Sequence, residues 1–164
     1  MVFAKMNKEA TQILDLVITP THKALGLWSQ SADRIVLCTF QTETQFDAVR
    51  QDIGPRRYGA AYGLSQMEKA TFDDHVKHME KRNPEIKELI IKICNLDVFP
   101  DVEALTWNDR LAVCMTRYHY KRVPDPLPDV NDLEGMARYW KKYYNTPMGA
   151  GTVEKFIKDC KQFF

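Results

Sequence analysis

Apolar residues recur along most of this chain at the three- and four-residue spacing of an α-helix, whereas the alternating pattern of a strand is almost absent. In the segment 84–94, for example, Ile86, Ile90 and Ile93 fall on one face of a helix. The pattern therefore predicts an all-α fold whose helices are separated by Gly, Pro and polar residues. The predicted helical segments are 13–18, 22–28, 32–43, 66–81, 84–94, 109–120, 131–145 and 153–160.

Individual residues predict where several of these helices begin and end. Pro20 is expected to stop the first helix, because proline lacks the backbone N–H that a helix interior needs. Ser31 is a good N-cap for the helix that runs to Glu43. Pro84 suits the first turn of its helix, and Asn108 can cap the helix that follows.

Two segments depart from the helical pattern. Residues 47–62 contain Gly54, Pro55 and Gly59, which predict an irregular loop or a short β-ribbon. Residues 123–130 contain three prolines and predict an extended segment that crosses the surface.

The length and composition indicate one domain. The chain has 164 residues, 45% of them hydrophobic, which suffices for one core. We expect residues 31–164 to form one compact unit and residues 1–30 to form helices that pack or dock on it. The pieces on either side of residues 123–130 are each too small for a core of their own.

Charge, hydropathy and cysteine spacing exclude several classes of protein. The net charge is +1 and no basic stripe is interleaved with aromatic residues, so no nucleic-acid partner is predicted. The N-terminus lacks the pattern of a signal peptide, and no apolar window reaches the length of a membrane span. We therefore expect synthesis in a cytoplasm. The cysteines are too scattered for a zinc site, so we predict reduced core thiols, no metal and no cofactor. They are Cys38, Cys94, Cys114 and Cys160.

Glu43 is the first candidate for chemistry. On the predicted helix 32–43, Ile35, Val36 and Thr39 lie on the same face as Glu43, so Glu43 stands at the end of an apolar stripe. Burial disfavours the carboxylate and raises the pKa, and a carboxylic acid that stays protonated near neutral pH can act as a general acid. The alternative is that Glu43 frays outward from the last turn and is solvated.

The residues that follow resemble a known motif. GAAYGLSQMEKAT, at residues 59–71, resembles the G-A-x-G-L-M-Q-I-x-P-A-T signature of family 1 lytic transglycosylases and goose-type lysozymes. In those families a Glu-Ser pair ends an earlier helix, and its glutamate is the catalytic acid. Glu43 and Thr44 stand in the place of that pair, twenty residues before Gly63, which is closer to the goose-type spacing. The resemblance implies a lysozyme-like helical fold and a catalytic role for Glu43.

The resemblance also implies roles for residues around the turn. Gly63 would let the backbone approach the glycan, Leu64 would pack under the site, and Gln66 would supply an amide to the cleft. Thr44 and Tyr62 would be further substrate contacts. The chain departs from the motif at Ser65, which replaces methionine, and at Lys69, which replaces proline.

The sequence gives less evidence for a second catalytic carboxylate. Glu68 falls where goose-type lysozymes carry an aspartate that positions water, but it also suits the first turn of a helix. Asp47 and Asp52 are alternatives in the intervening loop. Without a second carboxylate, the resemblance implies the transglycosylase route, in which one glutamate serves as acid and then base while the substrate closes an anhydro ring.

Aromatic residues in the C-terminal half of the chain give weaker evidence for substrate contacts than the motif does. Transglycosylases place a tyrosine near the acid, and Tyr118 could supply it, although a tyrosine on the apolar face of a helix is more often a core residue. His119 is expected at the surface or facing a loop. Trp140 and its neighbours Tyr143 and Tyr144 could stack on sugars, but we favour the core face of their helix.

The sequence therefore predicts a peptidoglycan-cleaving enzyme of phage origin that acts on β-1,4 glycan bonds. The C-terminal part, including residues 117–128 and 139–157, resembles uncharacterised virion proteins of tailed bacteriophages. The protein is expected in the virion or the host cytoplasm, with glycan strands and other virion proteins as partners. The alternative is a structural tail or baseplate protein that keeps a lysozyme-like scaffold without turnover.

Overall fold

The structure is a computed structural model that describes residues 8–47 and 49–164. Within these residues the α-helices are α1 (Lys8–Ile13), α2 (Thr19–Ala24), α3 (Gln30–Thr44), α4 (Lys69–Arg82), α5 (Pro84–Ile93), α6 (Asp109–Lys121), α7 (Leu133–Trp140) and α8 (Val153–Cys160). Between α3 and α4 lie the strands β1 (Arg50–Gly54), β2 (Arg57–Tyr62) and β3 (Met67–Glu68). Leu14–Ile18 and Lys141–Asn145 are π-helical, and Val102–Thr106 and Lys161–Phe163 are 3₁₀-helical.

The prediction of a mainly helical fold is confirmed, and a small sheet is added to it. The strands form an antiparallel sheet in the order β1-β2-β3. The segment 47–62 therefore contains the predicted ribbon, as a hairpin that turns through Gly54 and Arg56, both with positive φ. The helix predicted to begin at Gln66 begins at Lys69 instead, because Gln66 has a φ of 53° and the next two residues pair with β2.

The predicted stop at Pro20 is wrong. Helical structure continues from Lys8 to Ala24, with Pro20 in the first turn of α2. The preceding segment Leu14–Ile18 is π-helical, and the Thr19 N–H donates to the Leu14 carbonyl. A π-turn redistributes the backbone hydrogen bonds, so the helix can accommodate a residue that has no N–H.

Side-chain caps set the limits of the later helices. Asn108 accepts a hydrogen bond from the Leu111 N–H at 3.0 Å, which confirms it as the cap of α6. The cap of α3 is Ser29 rather than Ser31, since its hydroxyl accepts from the Ala32 N–H at 2.9 Å. The two serines are chemically equivalent candidates, and only the backbone path distinguishes them.

α3 and α6 form the centre of the core. The segments 35–40 of α3 and 111–116 of α6 are almost completely buried. Thr39 joins the two helices, because its hydroxyl lies 2.7 Å from the Tyr120 hydroxyl. A helix buried around most of its circumference needs partners on several sides, and α3 has α6, α8 and the 14–18 segment.

The N-terminal helices share this core. Ala10, Ile18 and Leu25 are buried in the same apolar cluster as α3 and α6. The cysteines predicted as core thiols, at positions 38, 94, 114 and 160, are free and buried. Among the described residues, no helix combines the length and apolarity needed to cross a bilayer.

Candidate active site

Glu43 lies in the last turn of α3, where the helix leaves the core. Phe40, one turn earlier, is fully buried, and the helix ends when Gln45 adopts the left-handed φ of 52°. The Glu43 side chain is held between the core and an open cleft, and is partly buried. It does not fray into solvent.

The environment of Glu43 leaves a large fraction of its carboxyl group protonated at neutral pH. Burial raises the pKa of Glu43 to about 7 from an ordinary value of 4.5. Two groups oppose this shift: the Trp140 indole N–H, which donates to Oε1 at 3.2 Å, and the positive charge of Lys155. Desolvation is the larger effect. At neutral pH the group is therefore present both as acid and as carboxylate, which suits a group that must give up a proton and take one back.

Glu43 lines a cleft with a volume of about 790 Å³. The cleft lies between the end of α3, strand β1, the start of α4 and the segment that follows α7. Its lining includes Thr42, Glu43, Thr44, Arg50, Asp52, Gln66, Glu68, Thr71, His119, Tyr144, Asn145 and Lys155. This volume lies within the range of about 300–1,000 Å³ that is usual for ligand-binding clefts.

The turn at residues 63–67 is tied to both sides of the cleft. The Thr44 hydroxyl, at the end of α3, donates to the Leu64 carbonyl at 2.9 Å. The Tyr144 hydroxyl, from the π-helical extension of α7, donates to the Ser65 carbonyl at 2.8 Å. These two hydrogen bonds fix the position of the turn relative to Glu43, in addition to apolar packing.

Gly63 allows the turn to pass close to another part of the chain. Its φ is +74°, and a Cβ atom at this position would lie 2.8 Å from the Leu105 carbonyl oxygen. The position requires glycine both for its backbone conformation and for space. The Gln66 side chain is then held by a hydrogen bond from its amide to the Gly63 carbonyl at 2.9 Å.

We expect Gly63→Ala to lower the free energy of unfolding by about 2 kcal/mol or more, because it combines left-handed strain with the contact to Leu105. Urea denaturation measures the change. Gly26→Ala is the matched control, since Gly26 has a similar φ of +69° but nothing within 4 Å of the added Cβ. Equal losses in the two variants would show that the contact to Leu105 contributes nothing.

The structure brings several predicted site residues together. Glu43, Thr44, Gln66 and Glu68 all line the one cleft. Leu64 is buried and is not part of the cleft lining. Among the alternative second carboxylates, Asp52 lines the cleft and Asp47 does not.

Three predicted substrate contacts lie outside the cleft lining. Gly63, which was expected to let the backbone approach a glycan, instead lies against Leu105. Tyr62 is outside the cleft lining, and its ring packs under the Arg50 guanidinium at 3.9 Å. Tyr118 is buried on the far side of α6, where its hydroxyl contacts His78 Nδ1 at 2.6 Å and accepts from the Asn83 amide at 2.9 Å. The core alternative for Tyr118 is therefore the correct one.

Tyr144 lies close to Glu43, whereas Tyr118 does not. Burial and the charge of Glu43 raise the pKa of Tyr144 well above its ordinary value. Trp140 and Tyr144, one turn apart, were favoured as core residues, and Trp140 is indeed buried. However, the Trp140 indole N–H also faces Glu43, a role that helix periodicity does not indicate.

His119 lines the cleft rather than the outer surface, but both of its ring nitrogens are occupied. Nε2 lies 2.6 Å from the Tyr143 carbonyl and must therefore donate to it. Nδ1 then accepts from His75 Nε2 at 2.9 Å, and His75 Nδ1 accepts from Arg122 at 2.9 Å. Burial lowers the pKa of both imidazoles, so they are neutral at pH 7 and support the cleft wall.

We expect Trp140→Phe to raise the pKa of Glu43 above 7, because the lost N–H donor stabilises the carboxylate form. Carbon NMR of the glutamate carboxyl groups during a pH titration measures the change. Phe156→Leu is the control, since Phe156 packs on the Trp140 ring at 5.3 Å but offers no hydrogen bond. An unchanged or lower pKa in Trp140→Phe would contradict the assigned role.

Comparisons with known proteins do not identify this arrangement. No family model, no curated protein and no solved structure matches the chain.

Proposed function

We propose that this protein cleaves the β-1,4 glycan bonds of peptidoglycan, as a glycosidase or a lytic transglycosylase, with Glu43 as general acid and base. One observation carries the proposal: a carboxyl group with a pKa of about 7 lies in a cleft of about 790 Å³. Strongly perturbed carboxyl groups in clefts are typical of catalytic acids. The resemblance of residues 59–71 to the lytic transglycosylase motif supplies the substrate class.

In the first step, protonated Glu43 gives its proton to the glycosidic oxygen while the bond from the anomeric carbon to that oxygen breaks. The Glu43 carboxylate that results receives the Trp140 N–H at 3.2 Å and lies in the field of Lys155. Both groups stabilise negative charge that forms only as the reaction proceeds. They therefore act on the transition state more than on the bound substrate.

The second step can follow two routes. In the transglycosylase route, the C6 hydroxyl oxygen of the same sugar bonds to the anomeric carbon and its proton returns to Glu43, so no water is consumed. In hydrolysis, water attacks the anomeric carbon, and a second carboxylate takes its proton. Glu68 and Asp52 line the same cleft and are the candidates for that role.

The proposal includes a phage setting, in which the protein is carried in the virion or released at lysis and meets the host wall from there. This part rests on the likeness of the C-terminal region to virion proteins of tailed phages. Other virion proteins would then be its partners, and glycan strands its substrate.

Digestion of purified Gram-negative peptidoglycan tests the proposal. The wild-type chain is expected to release soluble muropeptides, and Glu43→Gln is expected to release about 100- to 10,000-fold less. Mass spectrometry then separates the routes, since anhydro products are lighter than hydrolysis products by one water. Equal release by the two variants, or none by either, would overturn the proposal and favour the structural alternative.

A further inference from the structure

Arg50 presents a positioned cation to the cleft that the proposed chemistry does not use. It is the first residue of β1 and lines the same cleft as Glu43. Its guanidinium packs on the Tyr62 ring at 3.9 Å, and Nη2 donates to the Gly59 carbonyl at 2.7 Å. Stacking and one hydrogen bond together restrict a side chain that is otherwise mobile.

The guanidinium is anchored but not satisfied. Arg50 Nε is buried and has no hydrogen-bond partner, and within the described residues no side chain or carbonyl accepts from Nη1. A guanidinium carries five N–H donors, so most of its capacity remains unused. No carboxylate of the described chain forms an ion pair with it.

Among the described residues that line the cleft, Lys155 is the second residue that carries a positive charge at neutral pH, and its ammonium group already has partners. Its Nζ donates to the Thr42 carbonyl at 2.6 Å and contacts the Thr42 hydroxyl at 3.3 Å. It also pairs with Asp159 at 2.6 Å. Lys155 therefore supports the end of α3, whereas Arg50 is free to bind a ligand.

We propose that Arg50, held by Tyr62, binds a carboxylate carried by the glycan substrate and so selects peptidoglycan over neutral N-acetylglucosamine polymers. The inference rests on the proposed function, because it uses the same cleft. Planar, forked guanidinium groups suit carboxylates, and a hydrogen bond to a charged group is stronger than a neutral one. Asp52 and Glu68 also line the cleft and weaken the attraction, so the charge of Arg50 is needed for an anionic substituent to enter.

Peptidoglycan offers this carboxylate from two sources. One is the lactyl group of muramic acid in glycan strands stripped of peptide, and the other is the acidic residues of the stem peptide. The binding test therefore uses three probes: chitohexaose, which has no carboxylate, stripped glycan strands, and peptide-bearing glycan fragments. Binding is measured by calorimetry in a Glu43→Gln background, so that no probe is cleaved.

Arg50→Met in that background is expected to weaken binding of a carboxylate-bearing probe about tenfold and to leave chitohexaose unchanged. Weakening only with stripped strands assigns the lactyl group, and weakening only with peptide-bearing fragments assigns the stem. Arg57→Met is the matched control, because Arg57 is an exposed arginine on the neighbouring strand outside the cleft lining. Asp52→Asn should strengthen binding of the anionic probe alone.

Equal weakening with all three probes, no weakening, or no binding of any probe would overturn the assignment. If Arg50→Met does not fold, the salt dependence of probe binding by Glu43→Gln, which keeps Arg50, tests the assignment instead. An anionic probe should lose affinity with salt while chitohexaose does not, and equal behaviour overturns the assignment. Muropeptide release by the wild-type chain is measured separately. If the protein binds the probes but does not cleave peptidoglycan, the proposed function is contradicted. If it cleaves peptidoglycan but its binding of carboxylate-bearing probes does not depend on Arg50, this inference is contradicted.

Discussion

Glu43→Gln is expected to reduce the release of soluble fragments from Gram-negative peptidoglycan by about 100- to 10,000-fold, the usual contribution of a general acid. Glutamine keeps the size of the side chain and can still accept the Trp140 N–H through its carbonyl oxygen. It cannot donate a proton to a leaving oxygen. The loss should therefore lie in kcat, with KM little changed, because the glycan still meets the same cleft.

Two controls make this result specific. Glu85→Gln, an exposed residue in the first turn of α5 outside the cleft lining, should retain full activity. Glu68→Gln and Asp52→Asn test the hydrolytic route, because activity should fall strongly in one of them only if that carboxylate activates water. Residual activity of Glu43→Gln at the level of the wild-type chain would remove Glu43 from the mechanism and the enzyme proposal with it.

The position of Glu43 could be predicted because local patterns determine it. Ile35, Val36 and Thr39 share its helix face, and all three are buried in the structure. Periodicity over one helix therefore placed Glu43 at the end of a buried stripe, but it left open whether the side chain frays into solvent. The same kind of local pattern correctly predicted the first residues of α5 and α6.

The groups that tune Glu43 could not be predicted, since they come from distant parts of the chain. Trp140 is 97 residues from Glu43, and Lys155 is farther still. Helix periodicity shows that Trp140 is buried but not where its N–H points. Tyr118 illustrates the same limit: α6 buries it as predicted, but on the side of His78 and away from Glu43.

The errors in secondary structure have a related cause. Pro20 is a strong local signal against a helix, yet the π-helical turn before it lets the helix continue under packing from the core. Gln66 suits a helix by composition, but a positive φ and pairing with β2 place it in a turn. In both cases tertiary contacts outweighed a preference of less than a few kcal/mol.

The buried acid should also make the wild-type protein less stable as the pH rises, in a way that Glu43→Gln removes. The native state binds the Glu43 proton with a pKa of about 7, whereas the unfolded chain has a value near 4.5. Between these values the native state holds a proton that the unfolded state has lost, so the free energy of unfolding falls with pH. Below the lower value both states are protonated and this contribution is constant. Above pH 7 the penalty is complete and amounts to about 3 kcal/mol.

Urea denaturation of both proteins from about pH 4 to about pH 8 measures this effect, because every other titrating group is shared and cancels in the difference. Glu43→Gln should gain stability relative to the wild type across this range, with most of the gain appearing between the two pKa values of Glu43. Glu85→Gln, at an exposed position on α5, is measured alongside as the matched glutamate-to-glutamine substitution. A flat difference between Glu43→Gln and the wild type would mean that Glu43 titrates as a solvated carboxyl, and a protonated acid at neutral pH would then have no physical basis. Glu43→Gln could instead gain stability by the expected amount and still release muropeptides at the wild-type rate. That result would show that the buried carboxyl group is not needed for catalysis, because the substitution would have removed its cost to stability without lowering activity.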